Sequence, residues 1–377
     1  MSEDLDLINS TDRFCREVLP QYTKRVLKED SVTLAKEVWQ KCKEQGLSAV
    51  SAPEENGGLG QDAETVASLA ETIAFYDLGT AIFLSVHWMV TKVVAQYGSK
   101  EQKERWLSKL ARGEALGAFA LSEPLAGSDA ASLRTQAVKE KGGWVINGEK
   151  SWITSAPLAD LFLVFAKSGG EKEISAFLIE RGFSGLSIGK PEEKLGCELS
   201  PIAALRFSEC LVPTFNLLGK EGEGYKIALL ALTGGRVNIA ACSTGVIKRC
   251  LKESVSYLSQ RKQFGKPLSQ FQALQFKIAD MEIRAKTSET IYKRAAYLLK
   301  IKDSNSRLFA SIAKCWCSDS AVASALEAVQ IFGAMGYVKE AGIEKLLRDA
   351  KALQIVEGTN EIQRVVIAKE VLKRELG

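Results

Sequence analysis

Trp144-Val145-Ile146-Asn147-Gly148-Glu149-Lys150-Ser151-Trp152-Ile153-Thr154 is the stretch on which the fold turns. Its two ends, Trp144-Val145-Ile146 and Lys150-Ser151-Trp152-Ile153-Thr154, read as strands. The Asn147-Gly148 pair between them predicts a type I′ hairpin turn, because both residues tolerate positive φ. Further along, 161–166, 174–179 and 203–207 are short apolar or alternating runs set apart by glycine, proline and charge. No helical pattern separates them, so an antiparallel sheet or barrel is expected over 118–222. Helical periodicity brackets this segment. Val32, Leu34, Ala35, Val38 and Trp39, then Val66, Leu69, Ala70, Ile73 and Ala74, recur at helical spacing within 1–117. Beyond it, stretches at about 223–260, 268–301, 306–333 and 343–376 have the lengths and short connections of a four-helix bundle. Gly234, Gly235, Ala240, Ala241 and Gly245 predict close packing on the first of these. The expected class is α+β, mostly α: a helical domain (1–117), a β domain (118–222) and a helical bundle (223–377).

Composition narrows the function. A chain of 377 residues suffices for two or three domains with substantial cores. With 46% hydrophobic and 25% charged residues it has an ordinary soluble composition. A net charge of +4 argues against a dedicated nucleic-acid binder yet leaves room for a local phosphate site. The eight cysteines include no Cys-x-x-Cys pair, so buried free thiols are expected rather than a zinc site. His87 is the single histidine. A histidine-rich metal site is therefore excluded, and no metal is expected. Ser85-Val86-His87-Trp88-Met89-Val90 contains no acid to orient a catalytic imidazole, so His87 reads as packed or pocket-lining. Pro53-Glu54-Glu55-Asn56-Gly57-Gly58-Leu59-Gly60-Gln61-Asp62 lacks the spacing and the βαβ setting of a phosphate loop and reads as a helix-connecting turn. Met1-Ser2-Glu3-Asp4-Leu5-Asp6 has no leader character, and no apolar run is expected to reach membrane-spanning length. A cytoplasmic location without membrane insertion is the expectation.

Glu357 lies between two helical stretches, 343–355 and 361–376. Gly358 permits a tight turn, and Thr359 or Asn360 can cap the second helix. A carboxylate held at such a junction keeps an open side, as a base requires. A plain charge preference at a helix N-terminus is the alternative reading.

Five segments, in order, resemble the acyl-CoA dehydrogenase family of flavoproteins. They are Ala118-Phe119-Ala120-Leu121-Ser122-Glu123-Pro124-Leu125-Ala126-Gly127-Ser128-Asp129; Asn147-Gly148-Glu149-Lys150-Ser151-Trp152-Ile153-Thr154; Arg261-Lys262-Gln263-Phe264-Gly265-Lys266-Pro267 with Phe271-Gln272-Ala273; Gln330-Ile331-Phe332-Gly333-Ala334; and the Glu357 segment. The resemblance runs from about residue 30 to the C-terminus. It implies FAD as cofactor and α,β-dehydrogenation of an acyl-CoA thioester in fatty, branched or cyclic acid degradation. Glu357 would take the α-proton while the β-hydrogen leaves as hydride to flavin N5. Its backbone N–H, with a flavin ribityl hydroxyl, would hold the enolate oxygen. Phe119, Leu121, Ser122, Gly127, Ser128, Trp152 and Thr154 would bind the cofactor, with Thr359 and Glu361 beside its adenylate half. Phe264 would also bind the cofactor, and Arg261, Gln272, Gln330 and Gly333 would reach the FAD of a neighbouring subunit, which implies a homo-oligomer, a dimer of dimers. Ser128, Trp88, Arg236, Val356 and Gly358 would contact substrate, and electron-transfer flavoprotein would take the electrons. Gly235 stands where some relatives place their base.

Four departures matter. Leu125 replaces a usual glycine, Val356 a frequent tyrosine and Glu198 a common arginine. The region from Ser85 to Gly98 is one residue shorter and carries Trp88 and Lys92. Trp88 would shrink the acyl pocket, so a short, branched or cyclic acyl group is expected. The alternatives are a flavin oxidase or monooxygenase of related fold, or a dehydrogenase acting on an acyl-carrier-protein thioester. A DNA-associated relative is disfavoured by the alternating charges of Lys369-Glu370-Val371-Leu372-Lys373-Arg374-Glu375-Leu376.

Overall fold

A computed structural model describes residues 2–170 and 173–376. Helices fill the N-terminal part: α1 (Ser2–Arg25), α2 (Ser31–Glu44), α3 (Ala63–Tyr76), α4 (Leu78–Tyr97) and α5 (Lys100–Ala111). Short polar side chains start them. Asp30 accepts from Thr33 N, Asp62 from Glu64 N and Thr65 N, and Ser99 and Gln102 form a capping box. Asp77 follows α3 directly and caps α4 through Thr80 N, which turns the chain within one residue. The 53–62 loop does connect helices, as expected.

The strands are β1 (Gly117–Ala120), β2 (Gln136–Glu140), β3 (Gly143–Thr154), β4 (Leu161–Lys167), β5 (Ile174–Glu180), β6 (Leu186–Ile188), β7 (Ile202–Pro213) and β8 (Leu217–Leu218). They join in the order β6-β7-β3-β2-β4-β5-β8, with β1 beside β4. The sheet is mixed rather than antiparallel: β1 runs parallel to β4, in register Gly117 to Leu161. The Asn147-Gly148 turn is also corrected, because β3 is one 12-residue strand through that pair. The turn falls at Lys141-Gly142, where Gly142 has φ +92°. Asn147 and Gly148 instead form a bulge against β7. Asn147 Nδ2 donates to Glu209 Oε1 at 2.7 Å, and Glu209 N donates to Asn147 Oδ1 at 2.7 Å. Gly148, at φ +145°, lies so near Thr135 that a Cβ would stand 2.7 Å from its Cα. A bulge and a tight turn ask for the same permissive residues.

The C-terminal part is α6 (Gly224–Gln260), a small hairpin of β9 (Lys262–Gln263) and β10 (Lys266–Pro267), α7 (Gln272–Lys300), α8 (Ser306–Phe332), α9 (Ile343–Leu353) and α10 (Asn360–Leu376). Helices α6, α7 and α8 pack on one another, and the fourth member of the expected bundle is broken into α9 and α10, both against α8. The small residues of α6 do permit close approach: a Cβ on Gly245 would stand 2.3 Å from Glu71 O on α3. Helices α4 and α6 are each long and apolar enough to cross a membrane, contrary to the sequence expectation. Their most apolar windows are 89% and 72% buried inside the protein, so they serve as inner helices. All eight cysteines are buried and free.

Candidate active site

Glu357 sits between α9 and α10 in the left-handed region, φ +57°, followed by Gly358 at φ +88°. A glutamate holds that conformation only where its surroundings impose it. Here the main chain is clamped from several sides. Arg236 Nε on α6 donates to Glu357 O at 3.2 Å, and Gln363 Nε2 donates to Glu357 O at 3.2 Å and to Gly358 O at 2.8 Å. Lys314 Nζ on α8 donates to Gly358 O at 2.9 Å. Thr359 caps α10, accepting from Ile362 N at 3.4 Å. Asn360 turns inward, accepting from Lys314 Nζ at 2.8 Å.

The carboxylate itself is left unused. Glu357 Oε2 is buried and has no hydrogen-bond partner among the described residues. Opposite stands Gly235, where a Cβ would lie 2.5 Å from Oε2, so glycine at this position makes the room the carboxylate occupies. Burial pushes the Glu357 carboxyl up to about 7, while the charges of Arg236 and Lys314 pull it back. A dry carboxylate that ionises near neutrality, with a free lone pair, suits proton abstraction.

Gly234 and Gly235 border a cavity of about 480 Å³. Val66, Trp88, Met89 and Asn238 supply further wall, and Lys92 and Lys302 bring charge to it. Trp88 thus borders a cavity next to Gly235. Its indole is fixed by donating Nε1 to Leu47 O at 2.6 Å. Val356, by contrast, is half-buried against the core and does not line this cavity. Arg236 is buried beside Gly358. His87 is a packing residue. Gly117 N donates to its Nδ1 at 3.2 Å, so Nε2 carries the proton toward Ser48 O and Leu110 O. Burial lowers its pKa to about 4 and keeps the ring neutral. Glu198, in place of a common arginine, is matched by Lys345 at 3.1 Å and Arg348 at 2.5 Å.

A second group of predicted residues meets on the sheet. Ser151 N donates to Ser122 O at 2.9 Å, which ties the end of β1 to β3. Beneath them lies a buried ion pair, Lys150 Nζ to Glu123 Oε1 at 2.7 Å, with Nζ also on Leu121 O at 3.1 Å. Glu123 further accepts from Arg134 N and Thr135 N. Phe119, Leu121, Ser122, Trp152 and Thr154 are thereby fixed along one edge, with Gly127 and Ser128 exposed on the loop beyond. A second bulge in β3 puts Trp152 at φ +61° and leaves its side chain 61% exposed. An outward indole beside polar Ser122 and Thr154 fits a flat heteroaromatic ring system with a hydrogen-bonding rim. Arg261, Phe264, Gln272, Gln330 and Gly333 lie elsewhere, at the α6–α7 turn and the end of α8. Tyr257 stacks on Phe332 at 4.1 Å and holds those two ends together. All five are exposed, Phe264 to 92%, and among the described residues none hydrogen-bonds to the Ser122–Trp152 edge. Sequence reasoning missed Lys314, Asn360 as an anchor, and Gln363. A lysine set in Ala310-Ser311-Ile312-Ala313-Lys314-Cys315 was the available signal.

Comparison with known proteins shows the family of the chain. Family models for the N-terminal, middle and C-terminal domains of acyl-CoA dehydrogenases match residues 1–114, 118–210 and 222–372. The chain belongs to the acyl-CoA dehydrogenase family. A Bacillus subtilis acyl-CoA dehydrogenase is 43% identical over 337 residues, covering 88% of this chain and 89% of the relative. Butyryl-CoA dehydrogenase from Megasphaera elsdenii superposes with a TM-score of 0.93 at 36% identity, covering 99% of this chain and 98% of that one. An acyl-CoA dehydrogenase from Bacillus anthracis solved with FAD gives 0.92 at 33% identity, covering 100% and 68%. A prolyl acyl carrier protein oxidase, AnaB, gives 0.89 at 32% identity, covering 98% and 99%. As an acyl-CoA dehydrogenase family member the protein is an FAD-dependent oxidoreductase acting on CH–CH groups.

Proposed function

We propose that this acyl-CoA dehydrogenase acts on a short, branched or cyclic acyl-CoA, with Glu357 as the base that removes the α-proton. The observation that carries this reading is the buried Oε2, without a partner among the described residues, facing Gly235, which borders the cavity. Arg236, Gln363 and Lys314 fix the backbone of the base, so the carboxylate is aimed before substrate arrives. Entry of an acyl group excludes water further and strengthens the carboxylate as a base. Trp88, locked by Leu47 O, restricts the cavity and supports a compact acyl group. FAD, when bound along the Ser122–Trp152 edge, supplies the acceptor for the β-hydride. The exposed set Arg261, Phe264, Gln272, Gln330 and Gly333 serves the FAD of a neighbouring subunit in a dimer of dimers, and electron-transfer flavoprotein collects the electrons.

Anaerobic titration with a panel of thioesters tests the reading by loss of flavin colour. Short, branched or alicyclic thioesters are expected to react best, and a clear preference for palmitoyl-CoA would overturn the acyl assignment. Glu357→Gln should keep its flavin while bleaching slows by about 10²–10⁴-fold. Unchanged bleaching removes Glu357 as the base. The likeness to AnaB favours one second reading, an acyl-carrier-protein thioester as substrate. Reaction with carrier-protein thioesters in preference to the CoA form would select it.

A further inference from the structure

We infer that Lys314 is the positioning residue of the base: its buried ammonium fixes the Glu357 loop and favours an ionised Glu357 without occupying the carboxylate. The inference rests on the reading of Glu357 as the base.

Lys314 is 0% exposed on α8. An ammonium that leaves water needs hydrogen bonds and, as a rule, a carboxylate in contact. Among the described residues Lys314 has the first without the second. Its Nζ donates to Gly358 O at 2.9 Å and to Asn360 Oδ1 at 2.8 Å, both neutral acceptors. Asn360 cannot turn away, since its Nδ2 donates to Ser318 Oγ at 2.8 Å and to Asp319 Oδ1 at 2.6 Å. The strongest attraction on the ammonium is then Glu357, reached through the peptide next to it rather than by direct contact. A direct ion pair would tie up the lone pair that must receive the proton. Held one peptide away, the charge offsets part of the cost of ionising Glu357 in a dry site, and Oε2 stays free.

The other charged groups nearby act beside it. Arg236 on α6 exerts the larger attraction on the Glu357 carboxylate and commits its Nε to the Glu357 carbonyl, so Lys314 is the second cation and the one that also holds Gly358 O. Asp319 on α8 is engaged by Arg364 at 2.8 Å, and Cys315 is buried. Arg307 and Tyr225 act on Arg236 rather than on Glu357. Burial lowers the Lys314 ammonium itself to about 8.

The test compares the FAD-loaded wild type with Lys314→Met, Lys314→Arg and Asn360→Asp. Two readouts are taken against pH: the single-turnover rate of flavin bleaching, and infrared difference titration of the carboxyl band that Glu357→Gln abolishes. Lys314→Met should move both curves to higher pH by about one unit or more, leaving about tenfold fewer ionised bases at neutral pH. Its rate should return toward wild type at alkaline pH, and Lys314→Arg should hold the curves near their original place. Asn360→Asp, which pairs the ammonium without removing it, should shift the curves in the same direction as Lys314→Met and so keeps the test open if that variant does not fold. A lower rate at every pH with unmoved curves would make Lys314 a structural residue only and overturn the inference, as would no change at all. The infrared curve does not depend on turnover, so a failure of Glu357 as base is told apart from a failure of Lys314 as its support.

Discussion

At the scale of single residues, the site is a balance between space and charge around Glu357. Gly235 leaves its carboxylate just enough room, since an added Cβ would stand 2.5 Å from Oε2 and 2.6 Å from Cδ. Gly235→Ala must therefore push the carboxylate aside. A displacement of about 1 Å at a reacting group costs on the order of 10²-fold, so kcat/KM should fall by about that factor while folding and flavin content stay normal. Wild-type kcat/KM would rule out the proposed placement of the base. The second residue-scale prediction concerns pH. Burial raises Glu357 to about 7, and only its ionised form accepts a proton. The kcat/KM of the free enzyme should thus rise with pH up to about 7 and flatten above it. A flat profile from pH 5 to 8 would show a base that ionises as an ordinary surface glutamate does.

At the scale of elements, what positions the edge proposed for FAD is the link from the end of β1 to β3, pinned by Lys150 and Glu123. Removing one member of a buried pair strands the other, at about 3–5 kcal/mol. Lys150→Met should lose stability on that order in urea unfolding, and the remaining folded protein should release FAD more readily on dilution. Equal stability together with full FAD retention would mean that the pair pins nothing. The same elements show what the sequence could and could not reveal. The break at Glu357 was legible because its signals are local: a glycine after Glu357 and a threonine that caps the next helix. Asn147-Gly148 was misread because local chemistry marks a site of unusual φ but not its use. The partner that makes it a bulge, Glu209, lies 62 residues away. Lys314 was missed for the same reason, since its acceptor carbonyl is 44 residues further along. Trp88 was singled out through the resemblance of the Ser85 to Gly98 region, and it borders the cavity beside Gly235.

At the scale of the whole molecule, one buried charge cluster joins all three parts of the chain. Lys345 on α9 reaches Asp77, between α3 and α4, at 3.3 Å, Glu198, before β7, at 3.1 Å, and Asp349 at 2.5 Å. Asp349 also accepts from Cys197 N at 2.7 Å, so α9 is bound to the sheet region as well as to the N-terminal helices. Lys345 is the cation common to the three carboxylates. Lys345→Met should cost about 3–5 kcal/mol in urea unfolding, because carboxylates in a nearly dry site lose their shared partner. Glu198→Gln should cost less, since Asp77 and Asp349 still engage the ammonium. Acid stability gives a separate sign. Glu198 is held at about 2; burial opposes this, and Lys345 and Arg348 bring it about. A carboxyl depressed on folding stabilises the native state above its unfolded value and loses that contribution as pH falls toward the folded one. Without Lys345 the Glu198 value rises, so this contribution shrinks and the acid unfolding midpoint should move to higher pH. Since α9 ends at Leu353, just before Glu357, the proposed base, loosening it should also slow flavin bleaching under conditions where the variant is still folded. Unchanged urea and acid midpoints in Lys345→Met would show that the three parts are held together by their apolar contacts alone.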